Sequence, residues 1–318
     1  MSTVVVSVII PNYNHAGFLE KRISSVLEQT FSDFELIILD DCSSDNSKEI
    51  IETFRHHPKI SSIVYNTINS GSTFNQWQKG IALAKGEWIW MAESDDFAHP
   101  RLLQKLMEKV APHPAVVLSY CQSYEVDEHN KVLDTMQSWT DDVDKTHWST
   151  DYINKGQNEI ANFLSAKNCI PNASAVIFRR EDYNKVSGEH LKFRYCGDWL
   201  LWIQLLQKGD VAYTAEPLNF FRTHSATTRS MSSTKKLRIR LEEEYELLQY
   251  LRNLGMEKTG YQKRLDRIIL LYGYAFNKSE IIGLLTNPGS YNNRIPFRYL
   301  IKVYTKTKFK KLLQRIKA

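Results

Sequence analysis

The first hundred residues repeat one unit: a short, nearly continuous apolar run, a polar loop, then an amphipathic stretch with helical period. Residues 4–10 are β-branched and long enough for a buried strand, which Pro11 is expected to stop. Residues 15–28 then set Leu19, Ile23, Val26 and Leu27 on one helical face. A second run, 35–39, leads through DDCSSDNS into a helix burying Ile50, Ile51 and Phe54, with Ser43 or Ser44 as cap and Asp45 near its positive end. A third strand is expected at 60–65. In NSGSTFNQWQKGIALAKGEW, Phe74, Trp77, Ile81 and Ala84 recur at helical spacing, and Lys85-Gly86 closes that helix. Residues 88–92 form the fourth run. Strands that alternate with helices and are apolar throughout predict a largely parallel sheet covered on both faces. Ligands of such sheets bind beyond the carboxyl ends of the strands.

Those ends are polar. They read PNYNH, then DDCSSD, then ESDD. Singly each is a turn, a helix cap or a solvated loop. Together they make one polar crevice, and carboxylates one residue apart can share a hard cation such as Mg²⁺ or Mn²⁺. In WIWMAESDDF the acids Glu93, Asp95 and Asp96 follow an apolar strand directly. Taking like charges out of water costs several kcal/mol, roughly, unless something positive compensates, so a cation is expected beside them.

The chain has 318 residues, more than one core usually fills, which predicts two domains or one large domain with an appendage. No apolar run reaches membrane-span length, and MSTVVVSVIIPNYNH carries no basic leader, so a cytoplasmic location is expected. Cys42, Cys121, Cys169 and Cys196 are scattered without a CxxC pair and read as reduced thiols. Further strands are expected at 115–120 and 173–178, with a hairpin around Glu128-His129-Asn130. Residues 134–157 read as irregular, a lid or a poorly ordered loop.

The order VSVIIPNYNH, FELIILDDCSSDNS, NSGSTFNQWQKGIALAKGEW, ESDD resembles the family-2 nucleotide-sugar glycosyltransferases of the GT-A fold, closely over about the first hundred residues. The resemblance implies an α/β fold: a Rossmann-like, mostly parallel sheet between helices. It implies a nucleotide-sugar donor, with UDP the expected carrier, held by Pro11, Tyr13, Asn14, Asp41, Gly71, Lys79, Asp95 and Arg222. Glu93-Ser94-Asp95 stands where the family has its Asp-x-Asp metal motif, so Mn²⁺ or Mg²⁺ is expected on Asp95, with Glu93 and His224 as further ligands. The sequence departs from the pattern twice. Glu93 is one methylene longer than Asp, and Trp77 stands where many relatives carry Arg, which leaves Lys79 to meet phosphate or base. Trp77 itself falls in the apolar stripe and reads as core. Gly80, in a helix where it costs about 1 kcal/mol, reads as a close-packing position.

Asp198 precedes a helix containing Trp199, Ile203 and Leu206, and read alone it is an N-cap. The resemblance makes it the general base of an inverting transfer to a hydroxyl of a glycan or lipid-linked acceptor. Arg222-Thr223-His224 is then a loop closing over the diphosphate; read alone, His224 is structural. Residues 1–230 are expected to form the catalytic domain, with 1–110 binding the donor and 111–230 facing the acceptor. Residues 231–318 form a helical region, with helices at 234–254 and 261–276. Its basic amphipathic tail, including Lys302, Lys306, Lys310 and Arg315, reads as a solvated face or as a peripheral contact with an anionic membrane. No nucleic-acid motif occurs. A catalytically inert glycan- or nucleotide-binding module and a nucleotidyltransferase are the alternative functions.

Overall fold

The computed structural model describes residues 4–224, 233–256 and 259–274. They divide into two compact units, one reaching residue 160 and resuming at 168, the other made of 161–167 and the described residues from 233 onward.

The first unit opens with β1 (Val6–Asn12), α1 (Ala16–Leu27), β2 (Phe34–Asp40), α2 (Ser47–Phe54), β3 (Ile60–Tyr65), α3 (Thr73–Leu83) and β4 (Trp88–Met91). It continues with β5 (Phe97–Ala98), α4 (Leu102–Val110), β6 (Val116–Val126), β7 (Val132–Thr135), α5 (Gln137–Thr140), β8 (Tyr152–Asn154) and α6 (Gly156–Glu159). Then come β9 (Val176–Arg179), α7 (Arg180–Tyr183), α8 (Gly197–Leu206) and β10 (Asp210–Arg222). One sheet runs in the order β3-β2-β1-β4-β9-β6-β10-β5, with β7 added to β6 and β8 to β10. Strands β1 to β4 are parallel, as are β6 and β10, but β9 lies antiparallel between β4 and β6. The sheet is mixed and mostly parallel, with helices on both sides, as the alternating pattern requires.

The pleat sorts side chains between the two faces. Val8, Ile10, Leu36 and Ile38 join the core formed with Leu19, Ile23 and Val26 of α1, Ile51 of α2 and Leu102, Leu103 and Leu106 of α4. Ile9 and Leu39 point the other way, to α3. There Gly80 lies so close that a Cβ would collide with Ile9 Cγ2 and come within 3.2 Å of Leu39 Cδ1.

Local readings needed correction at three places. Pro11 does not stop β1 but lies inside it. Ile9 O accepts from Ala92 N, so alternate residues of β1 face β4, and β4 has ended before Pro11, which therefore needs no N–H. Ser43 and Ser44 do not cap α2. Asp45 accepts from Ser47 N at 3.1 Å instead, and both serines are engaged by the β1 loop. The 134–157 segment is not irregular but a chain of short elements pinned by buried groups: Trp148 donates to Tyr120 OH at 2.7 Å, and the fully buried Glu159 accepts from Tyr152 OH at 3.0 Å. The β6–β7 hairpin turns where expected, with Asn130 at φ 68. All four cysteines are free thiols.

In the second unit, α9 (Thr234–Asn253) and α10 (Thr259–Tyr274) bury Leu241, Tyr245, Leu248 and Leu251 on one side and Leu265 and Ile268 on the other. Arg264 reaches Glu244 at 2.6 Å. The basic tail lies outside the described residues. Among the described residues, no helix is long and apolar enough to cross a membrane.

Candidate active site

The site grows from the carboxyl ends of β1, β2 and β4. Beyond β1 the chain turns through Asn14, at φ 55, and beyond β2 through Cys42, at φ 65. Asp40 ties these turns together, accepting from Asn12 Nδ2 at 2.8 Å and Ser43 N at 2.9 Å. Ser43 Oγ accepts from Asn14 N at 2.9 Å, and Asn14 Oδ1 accepts from Ser44 N at 2.8 Å. Asn14 is thus a brace, Pro11 is buried in the strand, and Tyr13 presents its ring to solvent, 48% exposed. Asp41 accepts from Asn66, Ser70 and Gln76, Oδ1 taking Asn66 Nδ2 at 2.6 Å, Ser70 N at 2.9 Å and Gln76 Nε2 at 2.9 Å. Among the described residues only Ser70 Oγ, at 2.8 Å, meets Oδ2, so that oxygen keeps room for a ligand donor. Gly71, at φ 73, rounds the same loop, and Lys79 bonds to Asn66.

The Glu93–Asp96 turn is held on every side. Glu93 N donates to Ser174 Oγ at 3.1 Å, and Glu93 O accepts from Arg22 Nε at 2.7 Å. Arg222 donates from Nε to Asp95 O at 2.7 Å, and its backbone N donates to Asp96 Oδ1 at 2.8 Å. Arg22 and Arg222 are the cations that the crowded acids demand. Burial, reinforced by Asp95, pushes Glu93 up to about 8 and Asp96 up to about 7. For Asp95 burial acts in the same upward sense, but the hydrogen bond from His224 and the fields of His15 and His224 outweigh it and hold that carboxyl low.

His15, Asp95 and His224 offer ligand atoms that all lie within 4.8 Å of one another. His224 Nε2 is 3.2 Å from Asp95 Oδ2, and His15 Nδ1 is 2.8 Å from Ser94 Oγ. Burial lowers the His15 pKa, which favours the neutral imidazole a metal needs. Two imidazoles and a carboxylate fit a first-row divalent ion such as Mn²⁺ better than Mg²⁺, which prefers oxygen alone.

Residues 7–186 match the family model described as Glycosyl transferase family 2. The chain belongs to glycosyl transferase family 2. The enzyme is 29% identical over 268 residues, 82% of its own length and 78% of the relative's, to an uncharacterised glycosyltransferase of Nostoc sp.. It is 37% identical over 103 residues, 32% of its length and 31% of the relative's, to the poly(ribitol-phosphate) beta-N-acetylglucosaminyltransferase TarP of Staphylococcus aureus. Its fold is similar to that of S. aureus TarS 1-349 in complex with UDP-GlcNAc, with TM-score 0.57 at 17% identity over 94% of this chain and 89% of that one. It also resembles the mannosyltransferase PcManGT of Pyrobaculum calidifontis in complex with GDP-Man and Mn²⁺, with TM-score 0.56 at 13% identity over 96% and 79%. These neighbours are GT-A glycosyltransferases.

In this enzyme α8 begins at Gly197, so Asp198 sits in the first helical turn rather than at the cap, where its charge suits the helix's positive end. Asp198 Oδ2 accepts from Asn168 Nδ2 at 3.1 Å. A Cβ on Gly197 would lie 2.6 Å from Phe74 Cε2, so α8 starts directly against α3. Trp77 of α3 is core, as its spacing predicted, but its Nε1 also donates to Glu93 Oε1 at 2.7 Å. Glu93, expected among the metal ligands, is thereby drawn toward α3 and stands outside the cluster of His15, Asp95 and His224. Arg222, expected near phosphate, turns its guanidinium into the protein. It is buried, with NH1 on Asp127 O at 2.7 Å and NH2 on Asn130 Oδ1 at 2.8 Å, and its Cζ lies 4.6 Å from the Phe18 ring centroid.

Sequence reasoning overlooked two residues. Arg22 occupies the apolar stripe of α1 between Leu19 and Ile23, and a charge on a buried face was the available signal. His15 closes the quoted PNYNH, at the same sheet edge as the acids.

Proposed function

We propose that the enzyme is an inverting glycosyltransferase, transferring a sugar from a UDP-activated donor to a hydroxyl of a glycan or lipid-linked saccharide. The convergence of His15, Asp95 and His224 at the end of β4 carries this reading. A divalent ion held by these three would neutralise charge developing on the departing diphosphate. Tyr13 presents a ring to the base, Asp41 Oδ2 accepts from it, and Lys79, beside Asn66, faces the phosphate side. Asp198, oriented by Asn168, takes the proton of the acceptor hydroxyl as its oxygen bonds to the anomeric carbon. The anomeric carbon–oxygen bond to the diphosphate breaks on the opposite face, its electron pair leaving with the nucleoside diphosphate. One displacement inverts the configuration, and no covalent enzyme nucleophile is required. Residues 1–230 act as the catalytic domain, and the basic C-terminus brings it to an anionic membrane surface from the cytoplasmic side.

The test is a nucleotide-sugar screen for thermal stabilisation with and without Mn²⁺, followed by product analysis on the donor that binds. Release of nucleoside diphosphate is expected; pyrophosphate would indicate nucleotidyl transfer, and no product an inert module. Asp198→Asn should lower kcat by 10²-fold or more, roughly, with donor binding retained. Unaltered turnover would remove Asp198 as the base.

A further inference from the structure

Glu93 is fixed at three points: its N by Ser174 Oγ, its side chain by Trp77 Nε1 and its O by Arg22 Nε. Glu93 O also accepts from Asp96 N at 3.2 Å, closing the turn that carries Ser94 and Asp95 between them. Moving this one carbonyl would therefore move Asp95 and, through Ser94 Oγ, the contact to His15 Nδ1.

Arg22 is a costly way to make that bond. It is 0% exposed on the core face of α1, and among the described residues NH1 and NH2 meet no hydrogen-bond partner. Its Cζ lies 5.7 Å from the Trp90 ring centroid. An apolar side chain of the same length would fill the space without the desolvation cost. What the arginine adds is a donor under the turn and a charge facing Asp96, Asp95 and Glu93. Burial lowers its pKa to about 10, so it stays charged at neutral pH.

We propose that Arg22 is a positioning residue for metal binding: from α1 it clamps the Glu93 carbonyl and so sets Asp95 between His15 and His224. Together with Trp77, which holds the Glu93 side chain from α3, it fixes the turn from two helices on opposite faces of the sheet. The proposal rests on the metal reading of His15, Asp95 and His224.

The test uses the full chain and Mn²⁺ alone, with affinity measured by titration calorimetry well below the melting midpoint of each variant. Arg22→Met keeps the stem and removes the donor. Arg22→Lys keeps a charge but places no nitrogen where Nε stands. Loss of a group that orients a metal ligand typically weakens metal affinity about 10–100-fold, and that loss is expected for both variants. A residue serving only the core would lower the melting temperature and leave the Mn²⁺ dissociation constant unchanged. If Arg22→Met does not fold, Arg22→Lys decides alone. Wild-type affinity in a folded variant overturns the role of Arg22 and leaves the metal site standing. A wild-type chain that binds no Mn²⁺ overturns both.

Discussion

Glu93→Asp would restore the acid that the family's metal motif carries at this position, and motif reasoning alone expects it to be neutral or beneficial. The geometry expects damage. Glu93 Oε1 accepts from Trp77 Nε1 at 2.7 Å, and Trp77 is 2% exposed. Removing one methylene withdraws the carboxyl by about 1.5 Å, a carbon–carbon bond length, which takes the pair out of hydrogen-bond range. A buried indole N–H left without its acceptor costs about 1–3 kcal/mol. For a unit of the size of the catalytic one, about 2 kcal/mol lowers the melting temperature by about 4–8 °C. The assay is calorimetric melting of wild type and variant with EDTA present, so that no bound ion contributes. Trp77→Phe should lose a similar amount, and the double variant little more than either single change, since both break one contact. A Glu93→Asp protein melting at or above the wild-type temperature would refute the argument and return Glu93 to the metal ligands.

Two further changes probe the frame around the site. Gly80→Ala adds a methyl that collides with Ile9 Cγ2. Overpacking of about 1–3 kcal/mol should outweigh the roughly 1 kcal/mol gained in helix propensity, lowering the urea midpoint; a raised midpoint would show that β1 and α3 can part. His190 is 1% exposed, faces Tyr183 and Gln204, and burial lowers its pKa from 6.5 to about 4. The unfolded chain therefore binds a proton that the native one refuses, so stability present above pH 6.5 is lost as pH falls toward 4, by about 3 kcal/mol. Urea unfolding of wild type and His190→Gln from pH 7 to 4 should show the gap between them closing by that amount, and a constant gap would exclude it.

The sequence made the strand–helix alternation legible because each element from β1 to β4 is long enough to show its period. It placed the acids of the Glu93–Asp96 turn for the same reason: polar residues that abruptly end an apolar strand lie at a sheet edge. Other features were not local. β9 runs antiparallel because the chain returns through 134–175 to the gap between β4 and β6, and nothing within VIFR records which strands will flank it. The 134–157 segment looked irregular because α5 and β8, of four and three residues, are too short to repeat a pattern, while its anchor, Trp148 on Tyr120 OH, joins residues 28 apart. Arg222 was expected near phosphate on the family resemblance of Arg222-Thr223-His224 alone; only the fold shows Asp127 O and Asn130 occupying its terminal nitrogens.

The same distinction explains how an apolar strand can end in three acids. Arg22 and Arg222 enter from α1 and β10, elements far apart in the chain, and each guanidinium bonds to a backbone carbonyl of the turn rather than to a carboxylate, which only the backbone N of Arg222 meets, at Asp96 Oδ1. Their charges offset the acids while the acids' oxygens stay free of the guanidinium groups. Burial raises Glu93 and Asp96, whereas Asp95, facing His224, is held low. Negative charge is thus concentrated on the one carboxylate that two imidazoles flank. A pair of arginines bonded directly to Asp95 would have neutralised the turn equally well and left nothing there to attract a cation, so the placement of the arginines, more than their number, makes this edge of the sheet suited to a metal ion.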